Sequence, residues 1–153
     1  SKFWLQQVLA GNPTAFETEV LGYGYIPLAH SARCFTAKHH QKPKLDCQII
    51  CQQYPRGILT QTQESQPLLR LNGIQTQSAA KINLINQMSA MSAMGVSYFR
   101  ISPSGLEDIA LIEHISNAQM AEQSNLSLEG NIKDCNGYWH AEPGMNLNLN
   151  TIT

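Results

Sequence analysis

Three cysteines lie close together in the stretch SARCFTAKHHQKPKLDCQIIC, at positions Cys34, Cys47 and Cys51, and the same stretch contains His39 and His40. The intervals between the cysteines are C-x12-C and C-x3-C. Thiolate and imidazole together form an ordinary ligand set for zinc, and thiolates alone hold iron–sulfur clusters. The spacing therefore predicts a metal site in this stretch and does not distinguish zinc from iron–sulfur.

Other chemistry is open to the same thiols. A disulfide is typical of an exported chain, whereas the N-terminus SKFWLQQVLAGNP lacks the pattern of a signal peptide, and three thiols leave one unpaired. A catalytic cysteine requires a nearby base, which His39 or His40 would supply. A zinc site would take its fourth ligand from His30, His39 or His40. Cys135 is either a further ligand or a buried thiol near Trp139.

The composition limits the classes of protein to which the chain can belong. It has 153 residues, 42% of them hydrophobic, with ten lysines and arginines against eleven acidic residues and a net charge of -1. One hydrophobic core is expected for this length. No basic run is dense enough to predict a nucleic-acid partner, and no apolar stretch is long enough to predict a transmembrane segment. We expect an intracellular, cytoplasmic protein in a reducing compartment.

The predicted elements begin with an N-terminal helix that is stopped by Gly11, Asn12 and Pro13. A domain seldom begins on the end of a helix, so we expect the chain to be the C-terminal part of a longer one. A strand over residues 16–21 runs into a loop at Gly22 and Gly24. A long cysteine-bearing loop is predicted at about residues 27–66.

The second half of the chain predicts alternating strands and helices. A strand over 68–71 ends at Asn72 and Gly73, and a helix from Ser78 to Gly95 is indicated by apolar residues every third position. The segment VSYFRIS predicts a strand. Ser104 and Glu107 have capping-box spacing, and the helix that follows them has one apolar face, formed by Leu106, Ile109, Ile112 and Ile115.

This order predicts an α/β fold in which the strands pair in parallel through crossovers. Three or four strands do not close a (β/α) barrel, which takes about 250 residues. We therefore expect residues 1–153 to form a partial, barrel-like arrangement, the C-terminal half of a single TIM-barrel-like domain.

Four residues outside the cysteine stretch are candidates for binding a substrate. Arg100 ends a predicted strand, where a charged side chain needs a carboxylate or an anionic substrate as its partner. Tyr138, Trp139 and His140 follow the predicted strands, and the loops after barrel strands carry the chemistry in this fold class. The alternative for these three residues is an aromatic plug in the core.

Several separated motifs resemble those of one family. FETEVLGYGYIPLAHSARCFTAKHHQKPKLDCQIICQQYP, LNGIQTQS, RISPSG and DCNGYWH occur in this order between Phe16 and His140. Together they resemble the C-terminal half of the UbiV family within the collagenase-like peptidase superfamily. The resemblance implies a barrel-like α/β fold and a 4Fe-4S cluster bound by four cysteines. It also implies a heterodimer with a UbiU-like protein that hydroxylates a ubiquinone precursor without O2, with prephenate as the oxygen source.

Carried over by position, the resemblance makes Cys34, Cys47 and Cys51 three of the cluster ligands. It places the fourth cysteine in the N-terminal half, outside this chain, so we expect this chain by itself to hold no cluster. Cys135 does not match a ligand position. Because prephenate carries two carboxylates, Arg100 becomes a candidate substrate contact.

Two other functions stay open from the sequence. The superfamily name suggests a collagenase-like peptidase, although the chain shows no HExxH motif, Ser-His-Asp set or local Cys-His arrangement with a third orienting group. A zinc-stabilised binding module is the second alternative. The sequence assigns no catalytic residues to the hydroxylation.

Overall fold

The computed structural model describes residues 1–11, 16–120 and 134–148 of the chain. Within these ranges four helices and five strands alternate irregularly. The helices are α1 (Lys2–Ala10), α2 (Phe35–His39), α3 (Met88–Met94) and α4 (Glu107–Met120), and the strands are β1 (Glu19–His30), β2 (Ile58–Gln61), β3 (Pro67–Asn72), β4 (Gln75–Asn83) and β5 (Tyr98–Ser102).

The five strands form one open sheet in the order β2-β3-β4-β1-β5. β2 with β3 and β3 with β4 are antiparallel pairs, and β1 with β5 is a parallel pair. β1 and β4 also run in opposite directions, because Leu84 bonds to Gly22 and Ser31 bonds to Ile74. The fold class α/β is confirmed, but the predicted parallel pairing is wrong for every neighbouring pair except β1 and β5.

The chain divides into two compact units. Unit 1 consists of 1–24, 80–102 and 113–153, and unit 2 consists of 25–79 and 103–112. β1 and β4 each contribute residues to both units. The described core of unit 1 consists mainly of Ile82, Leu84, Ile85, Met91, Ile115, Cys135 and Trp139. In unit 2 the buried residues include Thr36, Ala37, Arg70, Ala79, Asp108 and Leu111.

Strand β1 passes through the glycines that were expected to end it. Gly22 lies where a Cβ would overlap the Phe99 ring of β5, so the absence of a side chain lets the two strands pair. Gly24 has φ +120°, and a Cβ there would overlap the Ser102 carbonyl oxygen. The register of the β1–β5 pair shifts between Leu21 and Tyr23. The glycines therefore permit a bulged, close-packed strand rather than a loop.

The predicted long loop at residues 27–66 is wrong at both ends, because β1 extends to His30 and β2 begins at Ile58. Between them lie α2 and two short 3₁₀ turns, Lys44–Asp46 and Ile50–Gln53. The period of apolar residues did not indicate these elements because each of them is too short to show one.

Residues 75–83 form a strand, although a helix beginning at Ser78 was expected. β3 and β4 make a hairpin in which Asn72 pairs with Gln75 and Leu69 pairs with Ser78. Gly73 is the first of the two turn residues and takes φ +62°, which glycine adopts readily. The helical part is limited to α3, which ends at Gly95 in the left-handed region, so the predicted end of this helix is confirmed.

The remaining elements follow their signals in part. α1 stops at Gly11 as predicted, while Asn12 and Pro13 lie outside the described residues. The VSYFRIS strand is confirmed as β5. No described helix is long and apolar enough to cross a membrane.

Helix α4 begins at Glu107, slightly later than the capping signal predicts, and Ser104 precedes it. Both the amide and the hydroxyl of Ser104 donate to Asp108 Oδ2, at 2.6 and 3.0 Å. Of the residues predicted to form the apolar face, Ile115 is buried, whereas Leu106, Ile109 and Ile112 are exposed, so the predicted face is wrong at those three positions. Leu111, which was not assigned to that face, is buried. Asp108, Leu111 and Ile115 have the spacing of one helical face, and all three are buried.

Candidate functional site

The three clustered cysteines all lie in unit 2, on a stretch that we call the cysteine segment, residues 34–54. Cys34 is the N-cap of α2, and its Sγ accepts a hydrogen bond from the Ala37 amide at 3.4 Å. Cys47 follows the first 3₁₀ turn, and Cys51 lies in the second. All three are half-buried free thiols.

A strained turn separates Cys47 from Cys51. Gln48 and Ile49 have φ values of 50° and 51°, and the Ile50 amide donates to the Cys47 carbonyl at 3.1 Å. Two consecutive positive φ values define a type I′ turn, which favours Gly, Asn or Asp. A β-branched residue in the left-handed region costs on the order of 1–2 kcal/mol. The backbone between these two cysteines thus adopts a conformation that its residue types disfavour.

Helix α2 packs against the second 3₁₀ turn, which carries Cys51. His40, at the C-terminal end of α2, forms a 2.8 Å hydrogen bond through Nε2 with the hydroxyl of Tyr54. His39 contacts the His40 ring edge-on, with centroids 5.0 Å apart. The two histidines therefore have structural contacts within the segment, and His40 connects the end of α2 to Tyr54.

The predicted metal ligands are not assembled into a ligand set. Within the described ranges no group of three or more histidine, cysteine or acidic side chains is placed to hold a metal ion. Cys34, Cys47 and Cys51 lie on neighbouring elements of one unit, and neither His30, His39 nor His40 completes a tetrahedral site with them.

Arg100 has a carboxylate partner, but it lies in the middle of β5 and not at the end of the strand, where it was predicted. In unit 1 its Nη1 lies 3.0 Å from Glu19 Oε1, on the neighbouring strand β1. Both side chains are about half exposed, so the pair contributes at most about 1 kcal/mol to stability. Whether Arg100 also contacts an anionic substrate stays a prediction.

Tyr138, Trp139 and His140 occupy one 3₁₀ turn, Gly137–His140, in unit 1. Trp139 is buried, and its Nε1 donates to Gln87 Oε1 at 3.1 Å, which is the arrangement of a core residue. Tyr138 is exposed, with its ring over Gly144. His140 Nε2 is buried and has no hydrogen-bond partner among the described residues.

Cys135 is part of the sheet rather than of the cysteine segment. Its amide donates to the Lys81 carbonyl at 2.8 Å, and its carbonyl accepts from the Asn83 amide at 2.9 Å. Burial, with a smaller contribution from Asp134, raises the pKa of this thiol to about 11. A thiol that stays protonated is a poor ligand and nucleophile, so the interpretation of Cys135 as a buried structural thiol fits its surroundings.

A polar cluster at the end of β4 was not predicted from the sequence. It consists of Tyr23, Lys81, Asn83 and Asp134. Lys81 Nζ lies 3.4 Å from the Tyr23 hydroxyl, and Asn83 Nδ2 donates to Asp134 Oδ2 at 2.8 Å. Burial raises the pKa of Asp134, while the Asn83 hydrogen bond and the Lys81 charge oppose this shift. A carboxyl group with a raised pKa beside an amine and a phenol is suited to proton transfer.

The sequence did contain a signal for this cluster. Lys81 is the single charged residue in the run SAAKINLI, but the run was interpreted as a helix, in which positions 81 and 83 point to different sides. In a strand, residues two apart share a face. The strand assignment thus brings Lys81 and Asn83 to one side of β4.

Together, the fold and the thiol-rich segment define a mixed α/β protein with a mostly antiparallel open sheet and three free thiols between its first two strands. A comparison with known families gives a more specific result, since peptidase family U32 matches residues 6–105. The chain belongs to this family. The match includes the cysteine segment and Arg100 but not residues 134–148. No solved structure matches the chain.

Proposed function

We propose that this protein is a UbiV-type component of oxygen-independent ubiquinone biosynthesis, in which the cysteine segment supplies ligands to a 4Fe-4S cluster. The observation that carries the proposal is the presence of three free thiols on one short segment of a peptidase family U32 domain. The motifs SARCF and CQIIC, at Cys34 and at Cys47 and Cys51, resemble those that carry the cluster ligands in the UbiV family.

The local structure supports this assignment in three ways. The thiols are half-buried and unpaired, so they are neither oxidised to one another nor sealed in the core. The contact between α2 and the second 3₁₀ turn brings the elements of Cys34 and Cys51 together. The strained turn at Gln48 and Ile49 is the kind of feature that functional segments retain at a cost in stability.

The proposal requires residues beyond this chain. The UbiV family, which the motifs resemble, has its fourth ligand cysteine in an N-terminal half, so in this proposal a cysteine outside the given sequence completes the site. That half would also complete the barrel-like domain, of which the parallel pair β1 and β5 would be one part. A UbiU-like protein is the proposed partner in a heterodimer, located in the cytoplasm, with prephenate and a ubiquinone precursor as small-molecule ligands.

The test is a metal analysis of the complete protein that contains this chain, purified without oxygen. We expect about four iron and four sulfide ions per chain and a brown visible spectrum. Separate replacements Cys34→Ser, Cys47→Ser and Cys51→Ser should each abolish the cluster. Cys135→Ser is the matched control, and it should retain the iron because the thiol lies in the sheet.

Two results would replace the proposal. A colourless protein that holds one zinc ion per chain would indicate a binding module stabilised by zinc. Hydrolysis of a collagen-derived peptide by metal-free protein would favour a peptidase, the activity for which family U32 is named. In either case the cysteine replacements would leave ubiquinone synthesis under anaerobic conditions unchanged.

A further inference from the structure

Arg70, in unit 2, is a buried arginine to which no described side chain supplies a counter-charge. It lies on β3, and only 7% of its surface is exposed. No described carboxylate forms an ion pair with it, and its nearest ring is that of Tyr25, with the guanidinium carbon 4.5 Å from the ring centroid. Burying a charge without an opposite charge is costly, so such a residue calls for an explanation.

The hydrogen bonds of Arg70 leave most of its donors unused. Nε donates to the Ala79 carbonyl and Nη1 to the Arg56 carbonyl, both at 3.2 Å. A guanidinium has five N–H donors, so three of them, including both on Nη2, have no acceptor in the ranges that the structure describes. Donors in folded proteins are nearly always paired with protein or with water, so these three are left to solvent or to a ligand.

The unused donors remain accessible to a small molecule. Of the described residues, the buried side-chain atoms that lack a partner are Thr18 Oγ1 and His140 Nε2, and no nitrogen of Arg70 is among them. Nη2, whose two donors have no acceptor among the described residues, is thus not sealed inside the core. The carbonyl bonds and the Tyr25 ring fix the plane of the guanidinium, and this holds the free Nη edge in one orientation.

The surroundings of Arg70 favour an anion. Residues 25–79 contain six lysines and arginines against two acidic residues, in a chain whose net charge is -1. The rest of the unit, residues 103–112, adds two acidic residues and leaves the unit with a net charge of about +2. On β2 and β4, Leu59 and Gln77 pair with Arg70 in the sheet, and neither brings a negative charge.

We propose that Arg70 is the centre of a binding site for the carboxylate of a small organic acid. The free Nη edge matches the two oxygens of a planar carboxylate, which arginine binds through two parallel hydrogen bonds. The Tyr25 ring beneath the guanidinium adds an aromatic surface against which an organic ligand packs. A bound carboxylate would neutralise the buried charge and satisfy donors that the protein leaves open.

This site is independent of the proposed cluster, and its ligand belongs to the same chemical class as the prephenate of the proposed function. It uses β1, β3, β4 and the turn at Arg56, and it contains no cysteine. Loss of iron in a cysteine variant would therefore leave carboxylate binding unchanged, and loss of carboxylate binding would leave the iron content unchanged. The two proposals fail on different measurements.

The test is a titration of the ¹⁵N-labelled chain followed by NMR of the Arg70 side chain. The Nε–H of Arg70 is buried and bonded to Ala79, so its proton exchanges slowly and gives a resolved signal. Sodium benzoate is added at constant ionic strength, with sodium chloride and sodium phosphate in parallel. We expect a saturable shift with benzoate and none with chloride.

Variants make the assignment specific. Arg70→Met removes the charge at similar length and should weaken benzoate binding at least about tenfold. Arg33→Gln removes an exposed arginine from residues 25–79, the basic part of unit 2, and this variant should bind benzoate as the unaltered chain does. If Arg70→Met does not fold, the titration of the unaltered chain decides alone. An unsaturable benzoate shift, or tighter binding of phosphate than of benzoate, would overturn the proposal.

Discussion

His40 Nε2 and Tyr54 Oη lie 2.8 Å apart, and this hydrogen bond joins the end of α2 to the residue that follows the second 3₁₀ turn. Their rings are tilted, with centroids 5.4 Å apart. Because Cys34 begins α2 and Cys51 lies in the turn, this one contact fixes the positions of two thiols relative to each other. The cysteine segment is thereby closed by a polar side-chain pair rather than by a disulfide.

Removing the Tyr54 hydroxyl should loosen this closure. We expect Tyr54→Phe to lower the free energy of unfolding by about 1 kcal/mol, the net contribution of a typical hydrogen bond. Urea denaturation measures the loss. Tyr138→Phe is the control, because the Tyr138 hydroxyl is exposed and makes no hydrogen bond with described residues. Equal midpoints for the two variants would show that the His40 contact contributes nothing to stability.

Relieving the left-handed residue between Cys47 and Cys51 should stabilise the chain. Ile49 has φ 51° and is 59% exposed, so replacing it removes strain and little buried surface. We expect Ile49→Asn to raise the free energy of unfolding by about 1 kcal/mol, since asparagine tolerates this region. Ile50→Asn, at a residue outside the left-handed region, should lower it. Destabilisation by both replacements in urea would contradict the strained turn.

A methyl group on Gly22 should disrupt the parallel pair of β1 and β5. The added Cβ would overlap the Phe99 ring, and forcing extra volume into a packed contact costs about 1–3 kcal/mol. Thermal unfolding of Gly22→Ala should show this loss, and Phe99→Leu in the same chain should restore part of it. Gly11→Ala is the control, because a Cβ there meets only carbonyl oxygens, at 3.4 and 3.9 Å. An unchanged melting temperature in Gly22→Ala would show that the ring moves aside freely.

Local signals predicted the elements that depend on neighbouring residues alone. α1 ends at Gly11, α3 ends at Gly95 and β3 ends at Asn72, because each of these ends depends on a backbone preference that acts within a few residues. β5 was evident for the same reason, since its β-branched and aromatic residues are consecutive.

The features that sequence reasoning missed depend on residues far apart in the chain. β4 was interpreted as helix because Ile82, Ile85 and Met88 have helical spacing, whereas pairing with β3 and β1 decides its conformation. The environment of Arg70 is set by Ala79, Arg56 and Tyr25, and no local pattern places these groups around it. The candidate anion site can therefore be recognised only once the strand order is known.

The buried thiol of Cys135 should make stability depend on pH in the alkaline range. Its pKa is raised to about 11 from 9.0, mainly by burial, so between these values the folded chain keeps a proton that the unfolded chain releases. Stability must therefore fall as pH rises from about 9 to 11, with a slope of at most about 1.4 kcal/mol per pH unit for one proton. Urea unfolding at several pH values measures this slope.

The contribution of Cys135 is separated from other groups by comparing slopes. Tyrosines and lysines also titrate in this range, and they do so in both chains, so the difference between the unaltered chain and Cys135→Ala isolates the thiol. The variant should be less stable at neutral pH, because it leaves a small cavity beside the end of β4, and its stability should depend less on pH between 9 and 11. Parallel slopes would mean that Cys135 reaches solvent, which would reopen the question of whether it serves as a ligand or a nucleophile.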